Sequence, residues 1–255
     1  MSANELCRAV VCCVFAAVTC TQAASADTIF RDTFSDGDAE DGMPVTWTPT
    51  DSPGIRDAVS GDYVFTPVPE SEDFFSSDVL NVILEDTSIR SRLRVSGLEG
   101  SVGFTVRNQS REDRQNYFGG IGYFPNEGGT AMFLGRNNPG GSRVFFGNFP
   151  VLPFDIRNAD AMLQLDVIGN ELKLWGWRAG DPIPGQPQLV AQDDTYASGF
   201  VGIFSGSGVF NQNIGTFRYV HVADMHIPEP PTLVLAALAW LGMLNFAWRP
   251  KRSQE

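Results

Sequence analysis

The sequence predicts an all-β fold, one antiparallel β-sandwich over residues 27–227, and three observations carry that prediction. Apolar and polar residues alternate with a period of two: across residues 88–95, Ile89, Leu93 and Val95 take one face and Arg90, Arg92 and Arg94 the other. Turn formers are dense, with 26 glycines and 16 prolines in 255 residues, about one residue in six, which would cut long helices short. Turn signals recur about every ten residues, and no segment of the body has a helical apolar stripe. With 43% hydrophobic and 19% charged residues, the chain can support a real core.

In order along the body, strands are expected at 29–34, 62–66, 79–84 and 88–95. After Gly97 and Gly100 the alternation resumes in Val102, Phe104 and Val106, and runs at 117–124, 130–136 and 143–148 follow. Ala161, Leu163, Leu165 and Val167 lead into Gly169-Asn170, a two-residue connection suited to a tight hairpin, and Leu172 and Leu174 continue beyond it. Runs at 200–205 and 216–222 close the set. About 200 residues is a comfortable size for one sandwich.

The two ends read differently. Cys7, Cys12, Cys13 and Cys20 all lie in the first 20 residues, around an apolar run at 9–18 preceded by Arg8. Ala24 and Ala26 supply the small residues expected before a signal-peptidase cut at Asp27, so residues 1–26 read as a signal helix. Its removal leaves no cysteine, which excludes disulfides, thiolate catalysis and cysteine-based zinc sites in the mature chain. Residues 232–248 contain no charge and would reach about 26 Å as a helix, enough for a single transmembrane span. Arg249, Lys251 and Arg252 follow as a basic stop held in the cytoplasm.

Pro228-Glu229-Pro230, the apolar helix and the basic cluster, in that order at a C-terminus, resemble the PEP-CTERM sorting signal read by exosortases. The resemblance covers residues 228–255 and implies a Gram-negative-type bacterium that makes exopolysaccharide. It also implies handling by exosortase at the membrane, cleavage near the tripeptide, and delivery of the body to the cell surface or matrix. The paired prolines keep the recognition segment extended and out of the helix. A second resemblance lies in the body. Phe30-Arg31-Asp32-Thr33-Phe34, the run from Asp194 to Ile203, and Phe217-Arg218-Tyr219-Val220 are similar to the first and last strands of concanavalin A-like (laminin G-like) jelly rolls. Such domains often bind glycans, often carry structural calcium, and sometimes hydrolyse sugars; the fold does not say which.

The net charge of -12 repels phosphate backbones, so nucleic acid is a poor partner and none is expected. Asp32, Asp36, Asp38, Glu40 and Asp41 form an oxygen-rich loop, a candidate structural calcium site whose plainer reading is a solvated acidic turn. The EF-hand template does not fit it, because the sixth position from Asp36 is Asp41 rather than glycine. Trp175 and Trp177, two apart on one strand, offer a sugar-stacking platform or else pack against a second layer. Arg90, Arg92 and Arg94 could hold uronate or sulfate groups, or form a solvated face. No catalytic residue stands out. His221 and His226 are the two histidines, Gly-x-Ser-x-Gly is absent, and so is the Glu-x-Asp-x-Glu strand motif of retaining glucanases that share the jelly roll. Three functions remain in play. These are a non-catalytic surface or matrix protein that binds extracellular polysaccharide, a carbohydrate-active hydrolase or lyase, and a purely structural matrix component.

Overall fold

Alternation in the sequence becomes pleat in the structure. The computed structural model describes residues 26–49, 54–67, 74–110, 114–207 and 213–225. The expected signal helix, the Pro228-Glu229-Pro230 tripeptide, the apolar helix and the basic stop therefore lie outside the described residues. In chain order the strands are β1 (Asp27–Asp32), β2 (Thr48–Pro49), β3 (Gly54–Val59), β4 (Asp62–Pro67), β5 (Phe74–Leu84), β6 (Thr87–Ser96), β7 (Gly100–Asn108) and β8 (Asn116–Phe124). They continue as β9 (Gly129–Asn137), β10 (Arg143–Phe145), β11 (Ala161–Ile168), β12 (Glu171–Arg178), β13 (Leu189–Gln192), β14 (Gly199–Ser207) and β15 (Ile214–Asp224). Two 3-10 turns, Pro125–Glu127 and Pro139–Gly141, are the helical segments among the described residues.

The strands form two antiparallel sheets. The first has the order β13-β12-β11-β6-β15-β4-β3, with β1 also on β15, and the second β10-β9-β8-β7-β14-β5-β2. One side of β15 pairs with β6 along its length, and the other is shared between β4, at residues 215–217, and β1, at 220–224. The hairpin between β11 and β12 closes at Gly169-Asn170 as expected, with Ile168 opposite Glu171 and Gly169 at a φ of 57°. Three strands go beyond the expectation: β2, β3 and β13. The run at 143–148 shortens to β10; Phe146 still donates its N–H to the Leu134 carbonyl, after which Gly147 turns at a φ of 81°.

The core lies between the sheets. Ile89, Leu93, Leu163, Leu165, Leu172, Leu174 and Val222 of the first sheet meet Val102, Phe104, Tyr117, Ile121, Leu134, Val201 and Ile203 of the second. All are buried to within 1% of full burial. The approach is close: a Cβ added to Gly119 on β8 would stand 2.9 Å from Leu174 and 3.3 Å from Leu165 across the gap. At one end Trp47 fills an aromatic cluster with Phe30, Phe34 and Tyr63, and its indole N–H donates to the Asp32 carboxylate at 2.7 Å.

Candidate functional site

On β8, Tyr117 and Ile121 point into the core, so the pleat turns Asn116, Phe118 and Gly120 to the opposite face of the second sheet. Phe133 on β9 and Phe204 on β14 face the same way and join Phe118 in a buried aromatic cluster apart from the main core. Glycines on the same strands let these rings lie against the backbone. A Cβ at Gly120 would stand 2.4 Å from Phe133 Cζ, at Gly135 2.5 Å from Phe118 Cζ, and at Gly103 2.7 Å from Phe204 Cζ. Phe145 of β10, 45% exposed, stands edge-on to Phe118 with ring centroids 5.5 Å apart.

This floor underlies a narrow cleft of about 570 Å³, its open mouth included. Polar groups line its walls. The Asn137 amide donates to Asn116 Oδ1 at 2.8 Å, and the Asn108 amide donates to the Thr105 hydroxyl at 2.9 Å. Asp78 lies over Gly202, where an added Cβ would stand 2.1 Å from its Oδ1, and it is buried on that face. Arg114 and Arg143 stand near one another at the rim; desolvation, and then the charge of Arg114, push the Arg143 pKa below its usual value. Among the described residues Asp78 is the one carboxylate lining the cleft.

A hydrogen-bonded latch fixes the neighbouring strand ends. The Tyr117 hydroxyl donates to Asp193 Oδ1 at 2.7 Å and accepts from the Tyr196 N–H at 3.0 Å. Arg136 pairs with Asp193 at 2.5 Å, and the Tyr196 hydroxyl donates to the Asn137 carbonyl at 2.8 Å. Burial raises the Tyr117 pKa to about 12. For Asp193 burial acts upward too, but hydrogen bonds from Thr195, Tyr117 and Arg136 outweigh it and bring the carboxyl down to about 2.

The side chains singled out in the sequence fall elsewhere. Arg90, Arg92, Trp175 and Trp177 share the outer face of the first sheet: Trp175 lies opposite Gln164, which lies opposite Arg90, and Trp177 opposite Met162, which lies opposite Arg92. Trp177 is only 9% exposed, so the pair does not form an open platform; Trp175 is half-buried. Arg92 pairs with Asp160 at 2.7 Å, and Arg94 donates to the Arg157 carbonyl at 2.9 Å, so the ladder is occupied at two of its three rungs. Among the acidic residues, Asp32 accepts from the Phe34 N–H and the Trp47 indole. Asp36, Asp38 and Asp41 each accept from the backbone N–H two residues on, at 3.2, 2.8 and 2.7 Å. No group of three His, Cys, Asp or Glu side chains among the described residues is placed to hold a metal ion.

No family model matches the chain, and no curated protein matches it. Solved structures do. The β-glucanase of Bacillus licheniformis superposes with a TM-score of 0.55 at 11% identity, covering 78% of this chain and 99% of that one. LamA from Z. galactanivorans, in complex with laminaritriose and laminaritetraose, gives 0.52 at 8% identity over 78% and 99%. The exoplasmic/lumenal domain of VIP36, in its Ca2+/Man3GlcNAc-bound form, gives 0.51 at 12% identity over 75% and 88%. The fold is the concanavalin A-like jelly roll. At these identities the likeness shows the fold alone.

The cleft residues carried no motif in the sequence. Their one signal is the recurrence of glycine on the face away from the core, at Gly103, Gly120, Gly122, Gly135 and Gly202 of adjacent strands.

Proposed function

We propose that this chain is an exported, non-catalytic surface or matrix protein whose jelly roll binds a glycan in the cleft of its second sheet. The observation that carries the reading is the pairing of one exposed aromatic ring, Phe145, seated on the buried Phe118 and Phe133, with the amide and hydroxyl lining of Asn116, Asn137, Asn108 and Thr105. Sugar rings present apolar C–H faces and a fringe of hydroxyls, and such a cleft matches both. Two of the structural neighbours are described with oligosaccharides bound, which favours this ligand class by analogy. Glycoside hydrolysis ordinarily needs two carboxylates about 5 to 9.5 Å apart, and Asp78 alone on the described walls favours binding over turnover.

The test is a glycan array followed by calorimetric titration with the best ligand. Asn137→Ala is expected to weaken binding about tenfold by removing wall hydrogen bonds. Unchanged affinity in that variant places the ligand elsewhere, and release of reducing ends from a polysaccharide turns the reading toward an enzyme.

Export rests on the sequence: a signal segment, the Pro228-Glu229-Pro230 tripeptide, an apolar span and a basic stop. Replacing the tripeptide by alanines is expected to leave a full-length, membrane-retained protein, and normal processing of that variant counts against exosortase handling.

A further inference from the structure

Of the three arginines on β6, Arg92 and Arg94 have partners, and Arg90 is left in a different setting. Its Nε is buried without a hydrogen-bond partner among the described residues, and no carboxylate there forms an ion pair with it. The antiparallel register sets His221 of β15 opposite Arg90 and Arg31 of β1 opposite His221, so three basic side chains stand abreast on the outer face of the first sheet. Arg31 also lacks an ion-pair partner among the described residues; its guanidinium sits 4.9 Å from the centre of the Tyr219 ring, which fixes its plane. Thr28 Oγ1 and His221 Nε2 are joined at 3.0 Å. Together Thr28, Arg31, Arg90, Tyr219 and His221 line a depression of about 480 Å³, its opening included.

Two guanidiniums without an ion-pair partner among the described residues, on either side of His221 in a protein of net charge -12, are an electrostatic anomaly. The chain has acidic residues in excess, yet Asp166, on the neighbouring strand opposite Ser88, accepts instead from Ser88 and Gln164. A guanidinium with a buried, acceptor-free N–H and no carboxylate partner is costly, and an oxyanion in the depression supplies the compensating charge. A carboxylate or sulfate matches the guanidinium fork, and the Thr28 hydroxyl adds a donor. The same register row continues from Arg90 through Gln164 to the half-buried Trp175, two strand spacings or about 10 Å away. An aromatic face and an amide at that distance suit a sugar ring linked to the charged one.

We propose that this depression is a second binding site, on the sheet opposite the cleft, for the uronate carboxylate or sulfate ester of an acidic saccharide. The site is independent of the cleft, so each can be tested alone. The His221 pKa is held below its ordinary value, by burial first and then by Arg90 and Arg31. The charged and titratable groups around it are Arg31 from β1, Arg90 from β6 and Tyr219 on its own strand. A bound oxyanion reverses the balance and draws a proton onto the imidazole.

The experiment titrates the full-length protein in detergent with an oligogalacturonate, a sulfated oligosaccharide, neutral laminaritetraose and sodium sulfate, following heat and the NMR signals of the His221 ring. Both acidic saccharides are expected to bind, Arg90→Gln and Arg31→Gln each to weaken them about tenfold, and the His221 pKa to rise on binding. Retained affinity in both arginine variants overturns the proposal. Loss in Asn137→Ala instead assigns the acidic sugars to the cleft, so that the proposal falls and the proposed function stands. Sodium sulfate binding as tightly as the saccharides overturns the sugar part. Binding of no saccharide, neutral or acidic, sinks both readings.

Discussion

Asp193 shows how a single carboxylate can hold a connection that the sequence marks only as a turn. It draws Arg136, Tyr117 and Thr195 together while its side chain is 13% exposed, and its pKa falls from 3.8 to about 2. A depressed carboxylate stabilises the fold at pH values above its unfolded pKa, and that contribution fades as pH falls from about 4 to 2. The shift corresponds to about 2 kcal/mol at neutral pH. Burial raises the pKa of Asp32 and Asp166, so these two favour the fold as pH falls, and the wild-type curve alone mixes both signs. The difference between wild type and Asp193→Asn isolates the term: denaturant unfolding is expected to show a gap of about 2 kcal/mol at pH 7 that narrows to under about 0.5 kcal/mol by pH 2. A gap independent of pH would mean that Asp193 acts by shape rather than charge. The acidic loop is a second case. Its carboxylates close backbone turns, and Asp32 serves Trp47, so a chelator is expected to leave the thermal midpoint unchanged; a fall on chelation, reversed by added calcium, would restore the metal reading.

Elements were legible in the sequence where one face is core and the other is not. β6 buries Ile89, Leu93 and Val95 and turns Arg90, Arg92 and Arg94 outward, and period-two reading places it correctly. β3 and β13 lie at the two edges of the first sheet, where Ile55 is 64% and Val190 52% exposed, so apolar residues there do not report the core face. β8 and β9 fail in another way. Both their faces are buried, one in the main core and one in the phenylalanine cluster, so alternation does not mark Phe118 and Phe133 as a separate surface. What the glycines do there is testable. Gly120→Ala pushes a methyl group into Phe133, against a ring also held by Phe118, Phe145 and Phe149. Overpacking of this kind costs about 1–3 kcal/mol, read as a lower denaturation midpoint, and tilting the ring should also weaken glycan binding. Full stability with full affinity would show that the floor repacks freely and that the glycine is incidental.

At the scale of the whole molecule, a two-layer sandwich separates its outer faces by a close-packed interior. The cleft opens from the second sheet and the arginine depression from the first, with core residues such as Leu165, Leu174 and Phe104 between them. Close-packed interiors transmit strain, but sites more than about 10 Å apart without shared partners ordinarily perturb one another by less than about 0.5 kcal/mol. Two consequences follow for a protein with both sites. One saccharide cannot reach from one face to the other without wrapping a sheet edge, so ligands at the two proposed sites would be separate molecules or separate segments. The free energies should also add: Arg90→Gln, Asn137→Ala and their double variant, each titrated with neutral and acidic oligosaccharides, are expected to give a double-variant loss equal to the sum of the single losses within about 0.5 kcal/mol. A larger coupling term would mean that the sheets shift on binding and that the two faces form one site rather than two.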